Sequence, residues 1–240
     1  MLTNVWSLFE EHLFPTASTD EAFNPYRTRH DDLDCEDAPA QRRENLRAYL
    51  SSYDAPPPLF LLLEAPGPWG CRFTGVPITS EAQLLEPDFP ITGAKTSRND
   101  EPHTEYSASI FWRVLRPYFP HFFVWNSLPL HPHDPDDPLS IRTPRRSEVR
   151  DWHDLLRGVL DALAPKRVVG VGRYRVEPGL LDQSLDRALL ARQLVSIAEV
   201  LQRATSAPLP WQLAAAKMLA ARLGSHARRL ENLVDPADDS

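Results

Sequence analysis

The sequence predicts an α/β fold in which helices cover the faces of a short parallel sheet, and three observations carry that expectation. Short apolar runs at 59–63, 121–126 and 167–172 read as buried strands. Between them stand amphipathic segments. Ile110, Phe111, Val114 and Leu115 line one side of residues 107–119, and Trp152, Leu155, Leu156, Val159, Leu160 and Leu163 line one side of 147–163. Strand, helix, strand, helix, strand is the order that produces parallel pairing through crossover helices.

The elements follow in order. Val5, Trp6, Leu8, Phe9 and Leu13 give residues 3–14 a helical spacing, and 24–40 is a polar, proline-containing loop. Residues 41–53 return to helix, with Leu46, Tyr49 and Leu50 on one face, before Pro56-Pro57-Pro58 stops it. Residues 82–106 form a long acidic loop, and loops of that length in compact domains tend to be functional. Ser147 is placed to cap the helix running to Leu163. Beyond 173 the pattern is helical from Gly179 to Thr205, although 192–197 also reads as a strand; 206–212 breaks the chain and 213–223 is helix.

At 240 residues and 42 % hydrophobic, the chain suits one domain over 1–232, with a helical part at 1–54, an α/β core at 55–232 and a disordered tail at 233–240. Its 24 prolines against 9 glycines favour rigid, shaped loops. A net charge of −7 excludes an overall basic coat for nucleic acid, though not a local basic groove. Two cysteines, Cys35 and Cys71, are too few for a four-thiolate cluster or a disulfide framework and fit a reducing compartment. The N-terminal residues lack a signal-peptide pattern, and no run approaches the ~20 apolar residues of a membrane span. The expectation is a soluble cytoplasmic monomer without metal or organic cofactor and without membrane contact.

The chemistry gathers at strand ends. Glu64 follows the run 59–63 directly, and Pro66-Gly67 then turn the chain away; ligands of parallel sheets bind at that edge. A strand-end carboxylate either caps a turn or serves as a general base that activates water. Asn126 ends the next run and either bonds its own loop or offers a donor beside an acceptor to a flat heterocycle. Arg142, Arg145 and Arg146 lie near a helix start, as a phosphate grip or as a solvated basic turn. His131 and His133 are either exposed loop imidazoles or stabilisers of negative charge. Asp134, Asp136 and Asp137 read as a solvated turn rather than a metal site.

The paired segments "EAPG…TGVPITSE" (64–81) and "WNSLPLHP…SIRTPRRSE" (125–148), each preceded by a strand, resemble the uracil-DNA glycosylase superfamily, in particular its branches with a Glu-Ala-Pro-Gly first motif. "NPY…R.NL..YL" before them and "RVVGVGR" after them fit as well, so the resemblance spans about 24–173. It implies a three-layer α/β/α sandwich around a mainly parallel four-stranded sheet. It also implies hydrolysis of the bond between base and deoxyribose in double-stranded DNA, with the nucleotide flipped out. Carried over by position, Glu64 activates or holds the water, Asn126 reads the base edge, and Ala65 brings backbone amides to the base. Pro66 and Gly67 approach the DNA backbone, as does the segment Arg142, Thr143, Pro144, Arg145, where Ser140 and Ile141 depart from the family pattern. Ile78 stands where an aromatic would stack on the base. The "HPS"-like histidine loop does not occur after 173; Leu209 or Trp211 in "TSAPLPWQ" would wedge into the duplex, and His131 and His133 would take over part of the lost charge stabilisation. The cysteines of the iron–sulfur branches are missing.

These readings imply a monofunctional DNA glycosylase acting on uracil or, given Ile78, on a modified cytosine, in repair or in anti-phage defence. Two other readings stay open: a module that binds a lesion or modified base without cutting it, and an α/β hydrolase of small nucleosides.

Overall fold

The computed structural model describes residues 2–171. The chain divides into two compact units, one of Met1–Ser109 with Pro120–Gly170 and one of Ile110–Phe119 with Val171–Ser240. The expected elements between 179 and 223, the tail, and Leu209 and Trp211 lie outside the described residues.

The first helix, α1 (Leu2–Leu8), widens into a π turn at Phe9–Leu13 instead of continuing as one helix to 14. Phe9 on that turn stacks on Trp125 with ring centroids 4.4 Å apart. A two-residue strand, β1 (Ala22–Phe23), precedes the polar loop. Helix α2 (Ala38–Ser51) starts three residues earlier than its apolar spacing predicts. Pro39 stands in its first turn, where a missing N–H costs nothing.

The central strand is β2 (Leu59–Leu63); the short helices α3 (Cys71–Thr74) and α4 (Glu81–Leu84) follow, then α5 (Tyr106–Leu115). The chain leaves α5 through a 3-10 turn, Arg116–Tyr118, where Pro117 ends the helix before the expected residue 119. Strand β3 (Phe122–Asn126) comes next, then β4 (His131–Pro132), α6 (Arg146–Asp151), α7 (His153–Leu163) and β5 (Arg167–Gly170). The helix expected over 147–163 is thus two helices, broken at Trp152. Its start is Arg145 rather than Ser147, because the Glu148 carboxylate accepts the Arg145 N–H at 2.7 Å.

The sheet has the order β3-β2-β5 with both pairings parallel. It holds three strands among the described residues against the four expected. Apolar side chains on both faces of β2 suit a central parallel strand. β3 has no further strand beyond it among the described residues, and two tyrosines of the α2 region serve its open edge. The Tyr49 hydroxyl accepts the Val124 N–H at 2.8 Å, and the Tyr53 hydroxyl donates to the Phe122 carbonyl at 3.0 Å. Gly158 in α7 lets α1 approach: a Cβ there would lie 3.0 Å from Leu8 Cδ1. Among the described residues no helix is long and apolar enough to cross a membrane.

Candidate active site

Strand register brings Glu64 and Asn126 to one edge. Leu63 pairs with Asn126, so Glu64 stands one step beyond, at the carboxyl end of β2. The continuation of β3 grips that end: the Ser127 N–H donates to the Leu63 carbonyl at 2.8 Å, and the Leu128 N–H and Ser127 Oγ donate to the Glu64 carbonyl at 3.0 and 2.7 Å. The Glu64 backbone is therefore fixed while the residue stays exposed. Asn126 is the opposite case, only 3 % exposed. Its Nδ2 approaches Cys71 Sγ at 3.7 Å, and its Oδ1 is buried without a hydrogen-bond partner. A buried amide oxygen left unpaired costs about 1–3 kcal/mol, so it calls for an explanation.

Residues 64–80 form a shelf beneath this edge, and buried charges hold it up. Asp34 lies between Arg42 and Arg72, all three side chains fully enclosed, with Arg42 Nη2 at 2.6 Å from Asp34 Oδ1 and Arg72 Nη1 also on that oxygen. The Arg42 Nε donates to the Phe73 carbonyl at 3.0 Å. The Tyr26 hydroxyl donates to the Gly75 carbonyl at 2.7 Å. Gly75 has φ 72°, and a Cβ there would meet the Arg42 carbonyl at 2.7 Å. Ile78 is also left-handed, φ 46°. For a β-branched residue that conformation costs about 1–2 kcal/mol. Thr74 Oγ1 bonded to the Thr79 carbonyl at 2.8 Å helps to impose it. The half-buried Ile78 thus sits on the shelf with a strained backbone.

One acidic residue of the site escapes sequence reading. Glu105 lies against the shelf: a Cβ on Gly67 would meet its Oε1 at 2.7 Å. Ser107 Oγ donates to Oε1, while Oε2 is buried without a partner. Burial raises the Glu105 carboxyl above the ordinary carboxylate range, against the opposing Ser107 bond. Cys71 beside it is pushed up by burial and by Glu105. Glycines three apart, at 67 and 70, are the available signal; what they accommodate is 35 or more positions away.

His131 and His133 are not exposed loop imidazoles. Phe23 of β1 pairs with His131 of β4, which draws both rings inside, 0 % and 7 % exposed. They stack with centroids 5.7 Å apart. His131 Nδ1 bonds the Pro66 carbonyl at 2.8 Å, so the ring supports the shelf from behind. Burial pushes its pKa from 6.5 down to about 4, leaving a neutral imidazole at neutral pH. A depressed folded value means stability that is complete above about pH 6.5 and lost as pH falls through about 4. The gap amounts to about 3 kcal/mol. Comparing chemical unfolding of wild type and His131→Gln between pH 7 and pH 4 should show wild type losing about that much more. Parallel curves would mean that the ring is charged in the fold.

The basic loop is already partnered. Arg142 holds Glu148 through Nη1 and Nη2 at 2.8 and 2.6 Å, and Arg145 holds Glu21 at 2.7 and 2.6 Å. Thr143 beside them is exposed and Pro144 partly so, as are Ala65 and Gly67, while Pro66 is buried; Arg146 and Arg150 stand exposed on α6. The expected long loop is likewise organised from within. Buried Glu81 accepts the N–H groups of Thr96, Ser97 and His103 at 2.8, 2.8 and 3.1 Å, and the Ser97 hydroxyl at 2.7 Å. His103 in turn packs between Phe73 (4.3 Å) and Trp69 (5.2 Å), the latter 41 % exposed at the shelf rim. Among the described residues no group of three or more His, Cys, Asp or Glu side chains is placed to hold a metal ion.

No protein-family model matches the sequence, and no curated protein matches it. A solved structure does. The crystal structure of wild-type Pedobacter heparinus SMUG2 superposes with a TM-score of 0.46 at 15 % identity, over 83 % of this chain and 97 % of that one. Of the residues expected from the sequence, the fold joins Glu64, Asn126 and the shelf carrying Ala65, Pro66, Gly67 and Ile78. It sets His131 behind that shelf and engages Arg142 and Arg145 with carboxylates.

Proposed function

We propose that the chain is a DNA glycosylase that hydrolyses the N-glycosidic bond of a flipped-out pyrimidine and leaves an abasic site. The observation that carries this reading is the pairing, one register step apart, of an exposed carboxylate on Glu64 with the buried, unpartnered Oδ1 of Asn126. Oδ1 accepts an N–H of the base. Glu64 takes a proton from water as its oxygen bonds to C1′, while the C1′–N bond breaks and its electron pair leaves with the base, which gains a proton from solvent. The motifs at 64–81 and 125–148 support the same chemistry through their resemblance to uracil-DNA glycosylases.

The half-buried aliphatic Ile78 in place of an aromatic platform favours a modified cytosine over uracil as substrate, which suits defence against phage DNA; uracil excision in repair is the other setting. A second reading, a module that binds the base without cutting, is favoured by the lack of a terminal histidine motif in the sequence after 173. Wild type and Glu64→Gln should be incubated with duplexes carrying uracil, cytosine, 5-hydroxymethylcytosine or glucosylated cytosine, and alkali-labile sites scored. Excision of one of these bases, lost in the variant, is the expected result. Binding without abasic product would replace the enzyme by the recognition module.

A further inference from the structure

Two buried polar atoms near the Cys71 thiol have no hydrogen-bond partner, and they are of opposite kinds. Asn126 Oδ1 can only accept a hydrogen bond. Glu105 Oε2 belongs to a carboxyl packed on glycine backbone: Gly67 lacks a Cβ that would lie 2.7 Å from Oε1, and Gly70 lacks one that would overlap Oε2. Larger residues at 67 or 70 would expel this carboxyl. Burial dominates its surroundings, and no guanidinium or ammonium among the described residues offsets it. The neutral acid is the form that such a place selects. Because Ser107 donates to Oε1, an acid hydrogen would have its place on Oε2.

We propose that Glu105 is a base-binding residue whose Oε2–H donates to an acceptor of the flipped base while Asn126 Oδ1 accepts from an adjacent N–H. The inference rests on the glycosylase reading and adds a second contact to its base. One donor and one acceptor are what the edge of a pyrimidine requires. Cytosine shows N3 beside its amino group, and uracil shows O4 beside N3–H. A carboxylate would repel the base as it takes up the electrons of the broken bond, whereas a neutral acid does not. Both atoms lie below the solvent-accessible surface, so a base reaches them only by entering between the residues that cover them.

The test uses the full chain with Glu64→Gln, so that binding is read without turnover, and the duplex of the panel that binds best. In the matched duplex the acceptor is weakened, N3 replaced by C–H in a cytosine or O4 by sulfur in a uracil. The unmodified base should bind about tenfold tighter than the weakened one, the value of one hydrogen bond of about 1.4 kcal/mol. Adding Glu105→Leu should make the two duplexes equal to within about twofold, and Glu105→Gln, which still donates, should restore most of the preference. A preference that survives Glu105→Leu would overturn the proposal, because the residue would then act only by supporting the shelf. Infrared difference spectra supply a readout independent of DNA. A protonated-carboxyl band at neutral pH, absent in Glu105→Gln and shifted by duplex, is expected. Absence of that band, or a band that bound duplex leaves unmoved, overturns the role of Glu105 and leaves the glycosylase reading intact if abasic sites form. Failure of every duplex to bind overturns both.

Discussion

Asp34→Ala is expected to remove about 3–5 kcal/mol of folding stability. The carboxylate bridges Arg42 and Arg72, whose side chains are as fully buried as its own. Burial alone would raise the Asp34 pKa, but the two guanidiniums outweigh it and hold it below the ordinary range. Burial in turn pulls Arg42 down to about 10, still charged at neutral pH. Deleting the carboxylate leaves two cations in the interior, and guanidinium cannot escape the cost by losing a proton. Arg72 would keep its place over the rings of Phe23 (4.4 Å) and Phe73 (4.3 Å), which softens the loss without cancelling it. Urea unfolding at neutral pH measures the difference. In acid the gap should narrow, because a depressed folded pKa contributes stability only above the ordinary carboxylate range and loses it as pH falls through the folded value. A loss under about 1 kcal/mol would mean that Glu81, which also acts on both arginines, suffices as counter-charge.

Glu64→Gln is expected to slow single-turnover base excision by about 10²–10⁴-fold, the usual contribution of a positioned base. The same change should cost less stability than loss of the buried Asp34 carboxylate, because Glu64 is exposed. The contrast arises because the bonds from Ser127 and Leu128 hold the Glu64 carbonyl, which the substitution leaves in place. Glutamine keeps the shape and loses the ability to take a proton from water. Rates and unfolding midpoints measured on one preparation separate the two outcomes. A rate loss below tenfold would remove Glu64 from the role of base, and a matching loss of stability would make it a structural residue.

The strand ends were legible because each apolar run stops at a single polar residue: 59–63 at Glu64 and 121–126 at Asn126. Local pattern carries that information. It carries less about helix ends, where the Glu148 carboxylate and not the Ser147 hydroxyl sets the start of α6. Partners distant in sequence are not carried at all. "SIRTPRR" shows a basic loop but not that Arg145 reaches Glu21, 124 positions earlier. "LHPH" reads as polar, yet pairing with β1 buries it. Glu105 looked like one more acid in an acidic loop, and its character depends on what surrounds it in space.

The bonds to Glu81 have a consequence for association. A loop of this length ordinarily loses conformational freedom when a partner settles on it, at about 1–2 kcal/mol per residue fixed. Here one carboxylate anchors residues 96, 97 and 103 before any partner arrives. Whatever docks beside Trp69 and His103 meets a surface whose ordering belongs to folding, so its encounter is closer to rigid-body docking than to folding upon contact.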